Sequence, residues 1–370
     1  MGGVVTINKG IIPWIRTIAD PMAVCANSET LEKWESGTKP TLNQVDKMSR
    51  ALNVPFGYFF LSSPYHDKKD TLVFRTFGNK ENREISPNLQ ETINNMEVIQ
   101  EWLKEELESE KLDASPISDI LNENDDVMSA SQIIRSLLGL EKEWYQEVEK
   151  DNAYSFLRNK AGEKQIFIFE SGIVGSNTKK KLDIKEFRAF ALYDSSAPLI
   201  FINSSDDKRA KAFSLLHELV HIAKGQNDLM EGDYRNKESF CNSVAAEILV
   251  PTNCFVDFWS SKNGDNIEKT RKASSFFKCS ISVATLKAYQ LRLISKEECN
   301  KILQIIDSVA KKAKGKGGNF YSTASSRLDH NFLSLLVASI HDGKTRYTDA
   351  YRMTGCRGAT FNRLMLEVLG

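Results

Sequence analysis

The chain has 370 residues, 41% of them hydrophobic and 26% charged, enough apolar material to offset chain entropy and to exclude disorder throughout. Lys plus Arg and Asp plus Glu both number 49, which excludes a surface built wholly to hold nucleic acid. No apolar run approaches the ~18 residues that a membrane-spanning helix requires.

Taken in chain order, residues 1–65 read as short helices. Trp14, Ile15 and Ile18 share one face of the first. Ser28 to Glu35 forms another, stopped by Gly37, and Leu42 to Leu52 a third, with Val45, Met48 and Leu52 at helical spacing. The apolar run Pro55 to Leu61 closes this segment. Residues 66–160 read as a helical connector. Ser86-Pro87 opens a long amphipathic helix with Ile93, Met96, Ile99, Leu103 and Leu107 on one stripe. Its acidic end, Glu101 to Glu110, reads as a solvated face. Residues 113–126 read as a loop, and a short helix follows from Ser129 to Leu138.

From residue 161 the pattern changes. Gln165 to Phe169, Phe187 to Tyr193 and Pro198 to Ile202 are expected strands. A helix from Lys208 to about Lys224 follows, capped by Asp206 or Asp207 and stopped by Gly225. A polar loop, Gln226 to Asn236, leads to a helix from Lys237 to Leu249, stopped by Pro251. Residues 296–370 are helical again, with a basic linker at Lys311 to Gly318 and a small, separate module after it. That end is basic, with ten Lys/Arg against four Asp/Glu from Lys311 onward, whereas residues 1–65 carry six against five. The six cysteines form no CxxC pair and no secretory leader is evident, so the expected location is the cytoplasm, with no membrane partner.

The chemistry concentrates at His217-Glu218-Leu219-Val220-His221. Residues four apart on a helix stand one turn above each other, so both imidazoles can reach one metal ion, and zinc accepts imidazole nitrogen at about 2.0–2.1 Å. Glu218 lies about a third of a turn round the helix, beside where a polarised water would sit, and is the expected general base. A hydrolytic zinc site needs a third protein ligand and an open position. On the next helix Glu238, Cys241 and Ala245 share a face at i, i+3, i+7, so Glu238 is the favoured ligand. Asp233 is a weaker spare, and Cys241 reads as a buried neighbour of the site or, less simply, a thiolate ligand. Glu247, nine residues from Glu238, projects to the other side and reads as half of a structural ion pair. Tyr234 or Tyr193 could stabilise an oxyanion, by residue type alone. The strand Pro198 to Ile202 could pair with an extended substrate.

These residues, together with Ala245-Ala246-Glu247-Ile248-Leu249-Val250-Pro251, resemble the ImmA/IrrE family of metallo-endopeptidases over about residues 165–295. The resemblance implies His217, His221 and Glu238 as Zn2+ ligands and Glu218 as catalytic base. It also implies a protein substrate, typically a DNA-binding repressor, cut in a stress or mobile-element response. Related expectations are the toxin of a toxin–antitoxin or phage-defence pair, restrained by a cognate antitoxin, and a DNA-binding transcription regulator whose peptidase fold only senses. The segment Glu32 to Gly37, with Pro40-Thr41 and Pro55 to Leu61, resembles the Xre-type helix-turn-helix found ahead of such peptidases. Here the first docking helix is shortened by roughly half a dozen residues and carries Asp20-Pro21, so the module reads as degenerate, with Ser28, Thr30 and Lys33 as candidate DNA or partner contacts. The terminal basic module is a second candidate for nucleic acid. The expected fold is α+β and mostly helical: a helix-turn-helix-like module at 1–65, a helical connector at 66–160, a zincin-like peptidase core with a small sheet at 161–295, and a helical C-terminal region at 296–370.

Overall fold

The computed structural model describes residues 4–19, 21–52, 54, 56–61, 85–149, 152–225, 234–310 and 326–369. His66, Asp233, the loop from Gln226 to Asp233 and the linker Lys311 to Gly318 lie outside the described residues. The protein is mostly helical with one small mixed sheet, as the pattern predicts. Among the described residues no helix is long and apolar enough to cross a membrane. The chain divides into two compact units, Met1–Leu72 with Arg83–Glu91 and Val73–Asn82 with Thr92–Gly370.

The first unit packs α1 (Ile12–Ile18), α2 (Pro21–Ala26), α3 (Ser28–Glu35) and α4 (Leu42–Leu52). Ile11, Ile15, Leu31, Trp34, Val45, Leu52 and Phe59 form its core. Trp34 meets the edge of Phe59 with ring centroids 5.9 Å apart. α2, where the resemblance leads one to expect a shortened docking helix, has six residues and buries none of them.

The second unit contains α5 (Pro87–Ser109, from Thr92 onward), α6 (Val127–Leu137) and α7 (Ala153–Gly162). The sheet strands β1 (Phe167–Ser171), β2 (Ala189–Leu192) and β3 (Leu199–Asn203) follow. The remaining helices are α8 (Lys208–Ala223), α9 (Tyr234–Leu249), α10 (Thr252–Ser261), α11 (Asn266–Phe276), α12 (Ile281–Gln290) and α13 (Lys296–Ala310), then α14 (His330–His341), α15 (Tyr347–Thr354) and α16 (Gly358–Leu369). β3 is central, parallel to β1 and antiparallel to β2. All three strands are buried on both faces and so read as near-continuous apolar runs. Alternation then sorts the faces. Ile168, Ala189, Ala191, Ile200 and Ile202 share a core with α8, α9 and the segment from Ile117 to Ala161, half of the stretch read as a connector. On the opposite face Phe190 stacks on Phe201 with centroids 5.2 Å apart, and Phe169 meets Phe332 of α14 at 5.3 Å.

Three expectations are corrected here. The strand read as a substrate partner, Pro198 to Ile202, is β3 and is paired on both sides, so it has no free edge. The terminal helices are not a separate module. Asp329 caps α14 by accepting from Phe332 N (3.0 Å) and also accepts from Ile168 N (2.9 Å), tying that helix to the outer edge of β1. Arg158 completes the tie by donating to Ile168 O and Leu328 O. The acidic end of α5 is not simply a solvated face. Glu106, on the same stripe as Leu103, is buried and accepts from Ser339 Oγ at 3.0 Å, and Lys344 pairs with Glu106 and Glu110. An excess of acid on α5 therefore meets an excess of base near the C-terminus, a pairing across more than two hundred residues of sequence.

Candidate metal centre

α8 is set by its ends and by its surroundings. Asp207 caps it, accepting from Arg209 N at 2.9 Å, and Gly225 stops it with φ +63, a conformation that costs glycine little. From Lys211 to Ala223 every residue of α8 is buried. A helix buried all round has no solvated face on which to place His217, Glu218 and His221, so each must be served from within. α9 supplies the service. Cys241, Val244, Ala245 and Ile248 are buried against the same core, and the small side chains at 241 and 245 let the two helices approach.

That approach brings Glu238 to the imidazoles. His221 Nε2 lies 3.1 Å from His217 Nε2 and 3.1 Å from Glu238 Oε1, and His217 Nε2 lies 3.3 Å from Glu238 Oε2. All three residues are buried, and they form the His/Cys/Asp/Glu group able to hold an ion among the described residues. Donors at about 2.0–2.1 Å from one tetrahedral zinc stand roughly 3.3 Å apart, so the observed triangle has the size and the nitrogen–oxygen composition that zinc prefers. Burial pushes the Glu238 carboxyl up, but its bonds to the His217 and His221 rings outweigh burial and hold it well below the usual carboxylate range. Cys241 Sγ sits 3.7 Å from His221 Nδ1, so the thiol meets the ring nitrogen that faces away from the triangle. It is a partner of the imidazole and stands outside the donor group. Glu218 is buried beside His217 on α8.

Other expected residues fall elsewhere. Glu247 forms an ion pair with Lys287 at 2.6 Å and accepts from Thr252 N and Oγ1 at 2.8 and 2.6 Å, which closes the turn after α9. Those bonds hold its carboxyl below the ordinary value against the opposing pull of burial. The Tyr193 hydroxyl is bonded to Asp119, and burial together with that carboxylate pushes the phenol up to about 12. Asp119 belongs to a segment that clips the end of α8, with Leu121 N donating to Ala223 O at 2.9 Å. Nothing in the polar stretch 113–126 distinguishes Asp119 in the sequence. Tyr234 opens α9, and its side chain lies outside the described residues. His330 and His341 are exposed. In the first unit Thr30 and Lys33 are exposed and Ser28 is half-buried, but Lys33 is paired with Glu29 at 2.7 Å, which halves its appeal to a phosphate.

Comparison with known proteins agrees with this geometry. Residues 165–289, about a third of the chain, match the family described as the IrrE N-terminal-like domain, the M78 peptidases. Residues 328–367 match a domain of unknown function, DUF8813. No curated protein matches the chain. The matched peptidase region begins just before β1 and runs to the end of α12, enclosing the sheet, α8 and α9. A metallopeptidase-type core is therefore supported both by the family match and by the buried His-His-Glu group.

Proposed function

We propose that the protein is a zinc-dependent endopeptidase that cuts a specific protein target, such as a DNA-binding repressor, in a stress or mobile-element response. The observation that carries this reading is the buried triangle of His217, His221 and Glu238 with Glu218 on the same helix. His217, His221 and Glu238 would hold the ion. Zinc bound there supplies Lewis acidity, which makes water nucleophilic near neutral pH and polarises a peptide carbonyl. Glu218 takes the proton of the attacking water and passes it to the leaving amine nitrogen. Cys241 holds the His221 ring in orientation through Nδ1. The bulk of α9 and the apolar core round α8 exclude water from behind the donors.

An extended substrate needs a sheet edge. The outer edge of β1 is closed at Ile168 by Asp329 and Arg158. On β2, Arg188 O accepts from Asn203 N at 2.8 Å, and alternation then turns the backbone groups of Ala189 and Ala191 away from β3. α8 lies against both β2 and β3, so β2 is the edge on which a scissile strand can run past the donors. The first unit serves as a packing or partner-binding module in this reading, because α2 is short and Lys33 is already paired.

The test expresses the wild-type chain and Glu218→Gln in a bacterial host, with zinc content measured on both purified proteins and lost host proteins followed by mass spectrometry. Both should carry about one zinc per chain, and only the wild type should remove a discrete protein. Growth arrest confined to the wild type identifies a toxin. Zinc in both with no protein lost in either identifies the non-cutting sensor, and the absence of zinc from both overturns the reading.

A further inference from the structure

The aromatic face of the sheet, turned away from α8, carries an open cleft that the peptidase chemistry does not use. Its empty volume is about 610 Å³ with its mouth included, within the range of about 300–1,000 Å³ typical of small-molecule sites. Phe169, Phe201 and Met96 form its apolar floor, and Arg327, Arg352 and Met353 of the C-terminal region form the opposite wall. The lining contains two guanidinium groups and no carboxylate.

That charge balance is unusual in its setting. Arg327 is half-buried, and burial lowers its pKa from the ordinary guanidinium value. Among the described residues neither Arg327 nor Arg352 has a carboxylate partner, although most other half-buried cations of this unit do: Arg158 and Lys211 face Glu170, Arg188 faces Asp206 and Lys287 faces Glu247. A desolvated cation without a counter-charge is unfavourable, and an anion that enters the cleft relieves it. The cleft walls are also held in place. Gly355, at φ +65, lets its turn sit so close to the 173–176 loop that Ser176 Oγ donates to Gly355 O at 2.7 Å. We infer that this cleft is a binding site for a small organic anion, with its oxyanion head on Arg327 and Arg352 and its apolar body on Phe169, Phe201 and Met96. The site is distinct from the metal centre and does not depend on hydrolysis. Its far wall is supplied by the region that matches the domain of unknown function.

The test titrates the full-length protein with 1-anilinonaphthalene-8-sulfonate, an aromatic body with one anionic group, and with its neutral analogue N-phenyl-1-naphthylamine. The sulfonate should bind saturably to one site, equally in wild type and Glu218→Gln. Arg327→Gln should weaken it at least tenfold and leave the neutral probe unchanged. Asn95→Trp, an exposed substitution at the rim of the cleft, should exclude both probes, and it decides the matter if Arg327→Gln does not fold by far-ultraviolet circular dichroism. Octanoate should displace the sulfonate, and inorganic phosphate at the same concentration should not. Binding that is absent, or equal in folded Arg327→Gln and Asn95→Trp, overturns the inference, and displacement by phosphate as readily as by octanoate overturns the apolar part.

Discussion

The two faces of one three-stranded sheet have been put to different uses. The face toward α8 is aliphatic, and the helix on it carries His217, Glu218 and His221 with almost no exposed atoms. The opposite face is aromatic, and against it lie helices that leave an open, cationic cleft. Strand alternation makes this possible, since neighbouring residues such as Ile168 and Phe169 serve opposite sides. Polar groups on the metal side are mutually satisfied, whereas the cleft keeps two cations without carboxylate partners. One side is built to hold an ion rigidly and the other to admit a ligand.

Substitutions can separate the two sides, and the largest expected effect is chemical. Glu218→Gln should lower peptide hydrolysis by about 10²–10⁴-fold, the usual worth of a positioned general base. Thermal unfolding and probe binding on the aromatic face should be unchanged; a fall in probe binding would show that the two faces are coupled. Next in size, Lys287→Met strands the buried Glu247 carboxylate and should cost about 3–5 kcal/mol in urea unfolding, as is usual when one partner of a buried pair is removed. On the other face Phe169→Ala should cost a comparable 3–5 kcal/mol or so by leaving a cavity beside Phe332. It should leave the zinc content intact, and loss of zinc would break the separation.

Smaller effects sharpen the contrast. Gly355→Ala should cost on the order of 1–2 kcal/mol, because alanine is disfavoured at φ +65 and its Cβ would lie 3.1 Å from Ser176 Oγ. It should perturb the cleft and spare the metal site. Acid should reveal opposite signs on the two sides. Glu247, lowered from 4.5, contributes stability that is present above that value and lost as pH falls through its folded pKa. Asp329 is raised above 3.8 by burial, so its contribution is present at low pH and lost as pH rises through its folded pKa. Urea unfolding across about pH 3–6 should therefore lose part of its acid slope in Glu247→Gln and gain slope in Asp329→Asn.

Much of this architecture is legible in the amino-acid sequence, and what is legible there is local. α3 and α4 fall on the residues that apolar spacing and Gly37 predict, and α8 ends where Gly225 predicts. His217 and His221 share a face because a helix repeats every 3.6 residues, and no tertiary contact is needed for that. α7 escapes such a reading, since its apolar positions are few and it draws its stability from the core it enters.

The order of the strands, which leaves β3 without an edge, follows from long-range pairing that no window of sequence contains. The same holds for Tyr193 meeting Asp119 and for Lys344 meeting Glu106 and Glu110. Sequence alone determined the helices, their caps and the metal-binding spacing, because each depends on residues within a few turns of one another. Only the tertiary structure decided that Glu238 reaches both imidazoles and that Arg327 and Arg352 line one cleft. Those arrangements depend on how helices and strands pack against each other, and packing is settled by the volume and charge of partners far away along the chain.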